Sequence, residues 1–395
     1  MSDAPHRRSR FERLPAWQRG VILCATTLVI GVLVLLAAEA AVRIRNQIRY
    51  GGTFWGVDQT YEKDPATGLR MPIPESRFGP IAINSYGFRS PPITIEKPVG
   101  RLRIAFLGGS TTYCAEVSSN AMTWPALVVT ALRRHWPRLD VDYINAGVPG
   151  YTAADSLRRL KLQLARFAPD IIVIYQSTND LEANAYRQAH RQGLAARHQE
   201  QTIGWLGRHS LLAYLVEKNL EVMSLQRRAT ADTGKLRLDM PRLDAAFRHD
   251  YTRLVAASQH IGRIVVTVTF APRLRRSQSP TERKAAAATA LYYMPYMTIA
   301  DLLAGYEQYN TVIREVAAAT GAVLVGDEDA IPADARHYTD SVHFTDAGSM
   351  AMAQRVARAL IAAPSVAALI EQDIAATGQR PSSPETVREP AGNRG

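Results

Sequence analysis

The apolar and polar positions divide this chain into three regimes. Val21 to Ala38 (VILCATTLVIGVLVLLAA) is a run of eighteen residues without a charge. A helix of that length crosses a bilayer. Arg43 to Gly100 has seven prolines and little periodicity, which predicts an extended segment leading from the membrane to the domain. Within it, Ile83–Ser90 (INSYGFRS) has the pattern of a strand and turn packed on that domain. From Arg101 onward, short apolar runs alternate with helical patterns.

The apolar runs are Ile104–Leu107, Val141–Asn145, Asp170–Tyr175, Ile264–Phe270 and Ala322–Val325. They are rich in Ile and Val and nearly continuous, as strands covered on both faces of a parallel sheet are. Between them, Leu157, Leu160, Leu164 and Phe167 share one face of a helix predicted over Thr152–Phe167. A second helix, Asp301–Thr320, meets Gly321 as its cap, and a third, Asp346–Ala362, follows Thr345 as N-cap. The alternation predicts an α/β fold: a three-layer α/β/α sandwich on a mostly parallel five-stranded sheet, over residues 101–363. Leu181–Leu238 breaks the rhythm and reads as a helical insertion. It lies either over the carboxyl edge of the sheet, where α/β ligands bind, or as a peripheral helical pair. Arg273–Lys284 is polar and basic and reads as a mobile loop. Residues 364–395 read as a largely disordered tail, rich in Pro, Ser and Gly from Ala376.

Charge changes the picture mainly at the N-terminus. Five arginines (Arg7, Arg8, Arg10, Arg13, Arg19) precede the apolar run and three (Arg43, Arg45, Arg49) follow it closely. That asymmetry predicts residues 1–20 in the cytoplasm, an anchor over 21–42 and the rest outside the cytoplasmic membrane, in the periplasm. A cleavable signal peptide is the rival, with Ala38–Ala40 (AEA) as cleavage site, but the run exceeds a typical signal core. The net charge of +11 does not make a nucleic-acid binder, because the arginines are scattered and no such motif accompanies them. Cys24 and Cys114 are the only cysteines and are expected to form no disulfide. No metal-ligand spacing and no phosphate-binding loop occurs, so no cofactor is expected.

Candidate chemistry starts where the first sheet strand ends, at Gly108-Gly109-Ser110-Thr111-Thr112. A serine hydroxyl attacks well only if a base takes its proton. Among nine histidines, His343 is singled out because Asp340 stands three residues before it, able to reach Nδ1 and fix the tautomer. No other histidine is credited with so well placed a partner; His249 and Asp250 adjoin in an amphipathic helix that faces solvent. A tetrahedral oxyanion needs donors. Gly150 in NAGVPGYT, after the second strand, offers a backbone N–H, with Gly147 as the alternative. Asn179 in QSTND, after the third, offers a side-chain amide. Asp180 reads as a capping or loop residue, or as a tie to a neighbouring turn. Cys114 reads as a small apolar filler, or as a reactive thiol.

The blocks FLGGSTT, NAGVPGYT, QSTND and DSVHFT, in that order, resemble those of the SGNH (GDSL-type) hydrolase superfamily. The resemblance runs from about Asn84 to Ala363 and takes in Trp124–Val128 (WPALV), Tyr309–Asn310 and INSYGFRS, a segment similar to one in membrane-linked bacterial members. It implies Ser110 as nucleophile, His343 as base, Asp340 as its orienting partner, and an oxyanion hole from the Ser110 and Gly150 N–H groups and the Asn179 amide. Gly109 stands where many members have aspartate, and Ser177 where glycine is common. The expected function is a membrane-anchored extracytoplasmic serine esterase acting on acyl, above all O-acetyl, esters of an envelope glycan. Lipid esters are a second substrate class. An O-acyltransferase of the same fold, working beside a membrane acyltransferase, and a non-catalytic glycan-binding subunit are the alternatives.

Overall fold

The computed structural model describes residues 14–50, 61–65, 67–194, 205–217, 220 and 236–378. The elements are, in chain order, α1 (Ala16–Tyr50), β1 (Tyr61–Lys63), β2 (Arg70–Pro72), β3 (Arg77–Phe78), β4 (Ile81–Ala82), β5 (Leu102–Gly108), α2 (Ser110–Tyr113), α3 (Trp124–His135), β6 (Val141–Asn145), α4 (Ala153–Arg159), β7 (Ile171–Tyr175) and α5 (Thr178–Arg191). They continue with α6 (Trp205–His209) and α7, helical over 211–217. The remainder are α8 (Met240–Gln259), β8 (Ile264–Val268), α9 (Pro280–Tyr293), α10 (Ile299–Thr320), β9 (Val323–Val325), α11 (Asp346–Ala362) and α12 (Pro364–Gly378).

Two compact units result. One holds α1 with α6 and α7, and the other holds β1 to α5 and α8 to α12. In the smaller unit, α1 is long and apolar enough over Ala16–Arg45 to cross a membrane, a test that a signal sequence also passes. The arginines at 7, 8, 10 and 13 lie outside the described residues.

The larger unit is built on a parallel sheet of order β6-β5-β7-β8-β9. On one side α3 packs on α11, which carries α12; on the other α8 packs on α4, α5 and α10. This is the three-layer sandwich expected from the alternation of strand and helix. Ile171, Ile172, Val173 and Ile174 of β7 are all fully buried, because both faces of a central parallel strand are covered. The chain goes from β5 outward to β6 and returns across β5 to β7. The strand order therefore reverses at the carboxyl ends of β5 and β7, the place where open α/β sheets form ligand crevices.

Several expectations need correction. β5 starts earlier than its apolar run, at Leu102, and includes a buried Arg103. That charge is tolerated because its Nε and Nη2 bond both oxygens of Asp142, on neighbouring β6, at 2.8 and 2.9 Å. The helix expected over Thr152–Phe167 is regular only in α4. It widens into a π turn at Leu160–Leu164 and ends in a 3₁₀ turn at Ala165–Phe167. Residues 61–100 are more than a linker: they form the hairpins β1–β2 and β3–β4, and Phe88 is fully buried in the main core. Arg273–Lys284 is not a free loop. Arg275 pairs with Asp329 at 2.7 Å, and Ser279 and Glu282 form a capping box that starts α9 at Pro280. The tail is not disordered at its start, since α12 buries Val366, Leu369 and Ile370 at helical spacing; residues 379–395 lie outside the described residues. Of the insertion, residues 181–191 belong to α5 against the core, 205–217 join α1, and 195–204 and 221–235 lie outside the described residues.

Candidate active site

β5 runs straight into α2, so Ser110 becomes the first helical residue beyond the strand end. The turn is braced from below. Trp124 Nε1 donates to the Thr111 carbonyl (3.0 Å), and Asn145 Nδ2 donates to that of Thr112 (2.9 Å). Arg89, from the segment before the sheet, sends Nη1 to the carbonyls of Tyr113 (2.9 Å) and Cys114, and Nε to Asn120 Oδ1 (2.9 Å). The carbonyls that end a short helix lack intrahelical partners, and here a buried guanidinium serves them. INSYGFRS thus fixes the helix that carries Ser110.

His343 lies on the turn before α11. Asp340 Oδ1 accepts from the backbone N–H of Val342 (2.8 Å) and of His343 (2.9 Å), so the carboxylate shapes its own turn. Its Oδ2 is then 2.7 Å from His343 Nδ1, and His343 Nε2 is 2.7 Å from Ser110 Oγ. The backbone also closes this turn, with Thr339 N–H bonded to the His343 carbonyl at 2.9 Å. Burial opposes charge on both partners but does not prevail. The imidazole is raised above its ordinary value by the Asp340 hydrogen bond and by nearby carboxylate charge, and Asp340 is lowered by its bonds to His343 and Val342.

A second carboxylate faces the same ring: Glu116 Oε1 is 4.0 Å from His343 Nδ1. Burial raises the Glu116 pKa, and the charge of His343 opposes that rise. Sequence reasoning missed Glu116. It lies 227 positions from His343, in a turn with no periodicity, and only the fold joins them. Its loop is held to the histidine's side by Ser118 N–H bonded to Asp346 Oδ1 (2.8 Å) and Ser349 Oγ bonded to the Met122 carbonyl (2.6 Å).

Asn179 opens α5. One amide hydrogen goes to the Tyr151 carbonyl (2.9 Å), which orients the group; the other has no partner among the described residues. Asn179 Nδ2 packs against the bare α-carbon of Gly109, where an added Cβ would come within 2.3 Å. Gly109, the departure from aspartate, thus leaves room for this amide. The two candidate glycines differ in their hydrogen bonding. Gly147 N–H is bonded to Asn145 Oδ1 (3.0 Å), whereas Gly150, at φ +87°, has no hydrogen bond from its N–H among the described residues. Asp180 ties down this same turn, accepting from Ala153 N–H at 2.9 Å. Cys114 is buried and its thiol is pushed up to about 12, the condition of an inert filler.

The histidine survey also needs correcting. Asp334 stands three residues before His337, with Oδ1 2.7 Å from Nδ1, so His343 is not alone in having a well-placed carboxylate. His249 is exposed on α8.

A hydroxyl, an imidazole and a carboxylate in line at the switch point of a parallel sheet define a serine ester hydrolase. More narrowly, the chain belongs to the GDSL-like lipase/acylhydrolase family, whose pattern matches residues 106–351. Similar solved structures include Axe2, an acetylxylan esterase from Geobacillus stearothermophilus, at 18% identity. It aligns over 67% of this chain and 96% of its own, with a TM-score of 0.40. Another is LAE5, an α/β hydrolase from the metagenome of Lake Arreo, Spain, at 15% identity over 68% and 96% of the two chains, with a TM-score of 0.40. No curated protein sequence matches the chain.

Proposed function

We propose that this hydrolase is anchored by α1 in the cytoplasmic membrane and cleaves O-acetyl esters of an envelope glycan on the extracytoplasmic side. Ser110 is the nucleophile, His343 the general base and Asp340 the group that holds the imidazole. The observation that carries the reading is the 2.7 Å contact between Ser110 Oγ and His343 Nε2, backed by the 2.7 Å contact on Nδ1.

The chemistry follows from those contacts. Ser110 Oγ attacks the acyl carbon as its proton passes to His343 Nε2. The carbonyl oxygen becomes an oxyanion beside the Ser110 and Gly150 N–H groups and the free Asn179 N–H. As the tetrahedral adduct collapses, the ester C–O bond breaks and the imidazolium returns its proton to the departing sugar hydroxyl. Water then attacks the acyl-serine, with His343 again taking a proton, and acetate leaves as Ser110 is regenerated. A second sugar hydroxyl in place of that water gives acyl transfer by the same groups. The extracytoplasmic setting is supported by an apolar α1 and by the arginines ahead of it.

Two measurements test the reading. A fluorophosphonate probe is expected to label the wild type and not Ser110→Ala; equal labelling would remove Ser110. Full-length protein incubated with acetylated envelope polysaccharide is expected to release acetate, and chemically deacetylated polysaccharide is expected to yield none. Activity on long-chain lipid esters alone would overturn the glycan assignment.

A further inference from the structure

Away from Ser110, the side chain of Glu39 gathers polar groups from a distant part of the sequence. Glu39 stands immediately after the charge-free stretch Val21–Ala38 of α1. Its Oε1 accepts from Arg43 Nε (2.6 Å) and Leu211 N–H (2.9 Å), and its Oε2 from Ser210 Oγ (2.8 Å) and Leu212 N–H (2.9 Å). Ser210 is the joint between α6 and α7, and its Oγ also accepts from Ala213 N–H (3.0 Å). Arg43 Nη2 donates to the carbonyl of His209 (3.3 Å). The start of α7 is therefore clasped to one point on α1, and that point is a carboxylate.

Depth follows from length. At about 1.5 Å per residue the eighteen residues of Val21–Ala38 rise roughly 27 Å, close to the hydrocarbon thickness of a bilayer. Glu39 of such a span falls where hydrocarbon gives way to headgroups, and its clasp holds the junction of α6 and α7, residues 209–212, beside it. About one helical turn before that junction, Trp205 is 72% exposed and Leu206 61% exposed, with the Trp205 ring 5.0 Å from that of His209. Val216 (48%) and Leu220 (60%) are exposed further along. Indole is the side chain best suited to the boundary itself, with an apolar body and a polar N–H.

We infer that α6 and α7 form an interfacial membrane element, seating Trp205 and Leu206 in the headgroup zone of a phospholipid bilayer and docked to α1 through Glu39. The inference rests on the reading of α1 as a retained span. A phospholipid surface, rather than another protein, is the occupant because the clasp sits at the edge of the span and this apolar pair lies within about one helical turn of it. The insertion thereby serves the anchor, and the chain passes between the two compact units three times rather than once.

The test uses the full chain reconstituted in vesicles of phosphatidylethanolamine and phosphatidylglycerol, with bromine carried on the acyl chains either near the headgroup or near the chain end. The emission difference between wild type and Trp205→Phe isolates Trp205. Its quenching is expected to be stronger with bromine near the headgroup, unchanged by dilution with lipid, and reduced about twofold or more in Glu39→Ala, as the docked element is released. An alkaline carbonate wash is read in parallel. If it extracts the chain, the anchor fails, and the inference with it. If the chain is retained while Trp205 escapes quenching in both lipids, the inference is overturned and the anchor stands. Quenching that Glu39→Ala leaves intact would overturn the clasp, and quenching that appears only on dilution with brominated lipid would assign the patch to a second copy of the chain. Fluorophosphonate labelling of Ser110 in every variant confirms a folded catalytic unit.

Discussion

Two Asp-x-x-His turns lie six residues apart, and locally they are near copies. Asp334 accepts from the N–H groups of Arg336 and His337 and holds His337 Nδ1 at 2.7 Å; Asp340 accepts from Val342 and His343 and holds His343 Nδ1 at 2.7 Å. Surroundings separate them. Asp334 keeps 55% of its side chain in solvent, against 23% for Asp340, and only His343 has a hydroxyl at its Nε2. Pairing a histidine with a carboxylate is thus a property of the local sequence. Turning that pair into a base for Ser110 requires the β5–α2 junction, which the sheet brings from 233 positions away.

The sharpest way to break the comparison is to remove each ring in turn. His343→Ala is expected to lower kcat on a model acetyl ester by about 10⁴-fold or more, the scale on which removing a general base acts. His337→Ala should stay within about twofold, since its imidazole pairs with Asp334 and has no contact with Ser110 among the described residues. Equal losses would mean that the wrong turn has been chosen. The carboxylates come next. Asp340→Asn is expected to cost about 10³–10⁴ in kcat, because the amide no longer imposes the tautomer, while Asp334→Asn leaves kcat unchanged. Smaller still is the loss of an oxyanion donor: Asn179→Ala should reduce kcat by about 10²–10³ with little change in KM.

The smallest effect concerns pH. A general base works when neutral, so activity falls on the acid side as His343 gains its proton. Because the His343 pKa is raised, that limb is expected on the high side of the ordinary histidine value. Glu116→Gln deletes a negative charge 4.0 Å from Nδ1, so the imidazolium loses support and its pKa falls. The acid limb of kcat/KM should then move to lower pH, with little loss at the plateau. The Asp334 turn offers a control, since Asp334→Asn should leave the limb in place.

The strands were legible because two-sided burial writes an unbroken run of Ile and Val, as in β7. Arg103 hid the start of β5, since its tolerance depends on Asp142 in a neighbouring strand. Local signals were also present and outweighed by composition: the Ser279–Glu282 capping box lay within a basic run, and Val366, Leu369 and Ile370 within a segment read as tail. The spacing that picks out His343 picks out His337 equally well, so spacing alone could not choose between them. Ser110, His343, Asp340 and Asn179 could be named as candidates because each sits in a short block at a strand end or helix start. Arg89 and Glu116 act across the fold through contacts that no local pattern encodes.

Arg89 carries a consequence for where this polypeptide can be severed. Its guanidinium lies ahead of the sheet in sequence yet supports the serine's helix from beneath. A cut upstream of β1 would spare that support, whereas one between Ser90 and Arg101 would separate the buttress from what it holds. The segment ahead of the sheet therefore contains a strut that the hydrolase cannot surrender.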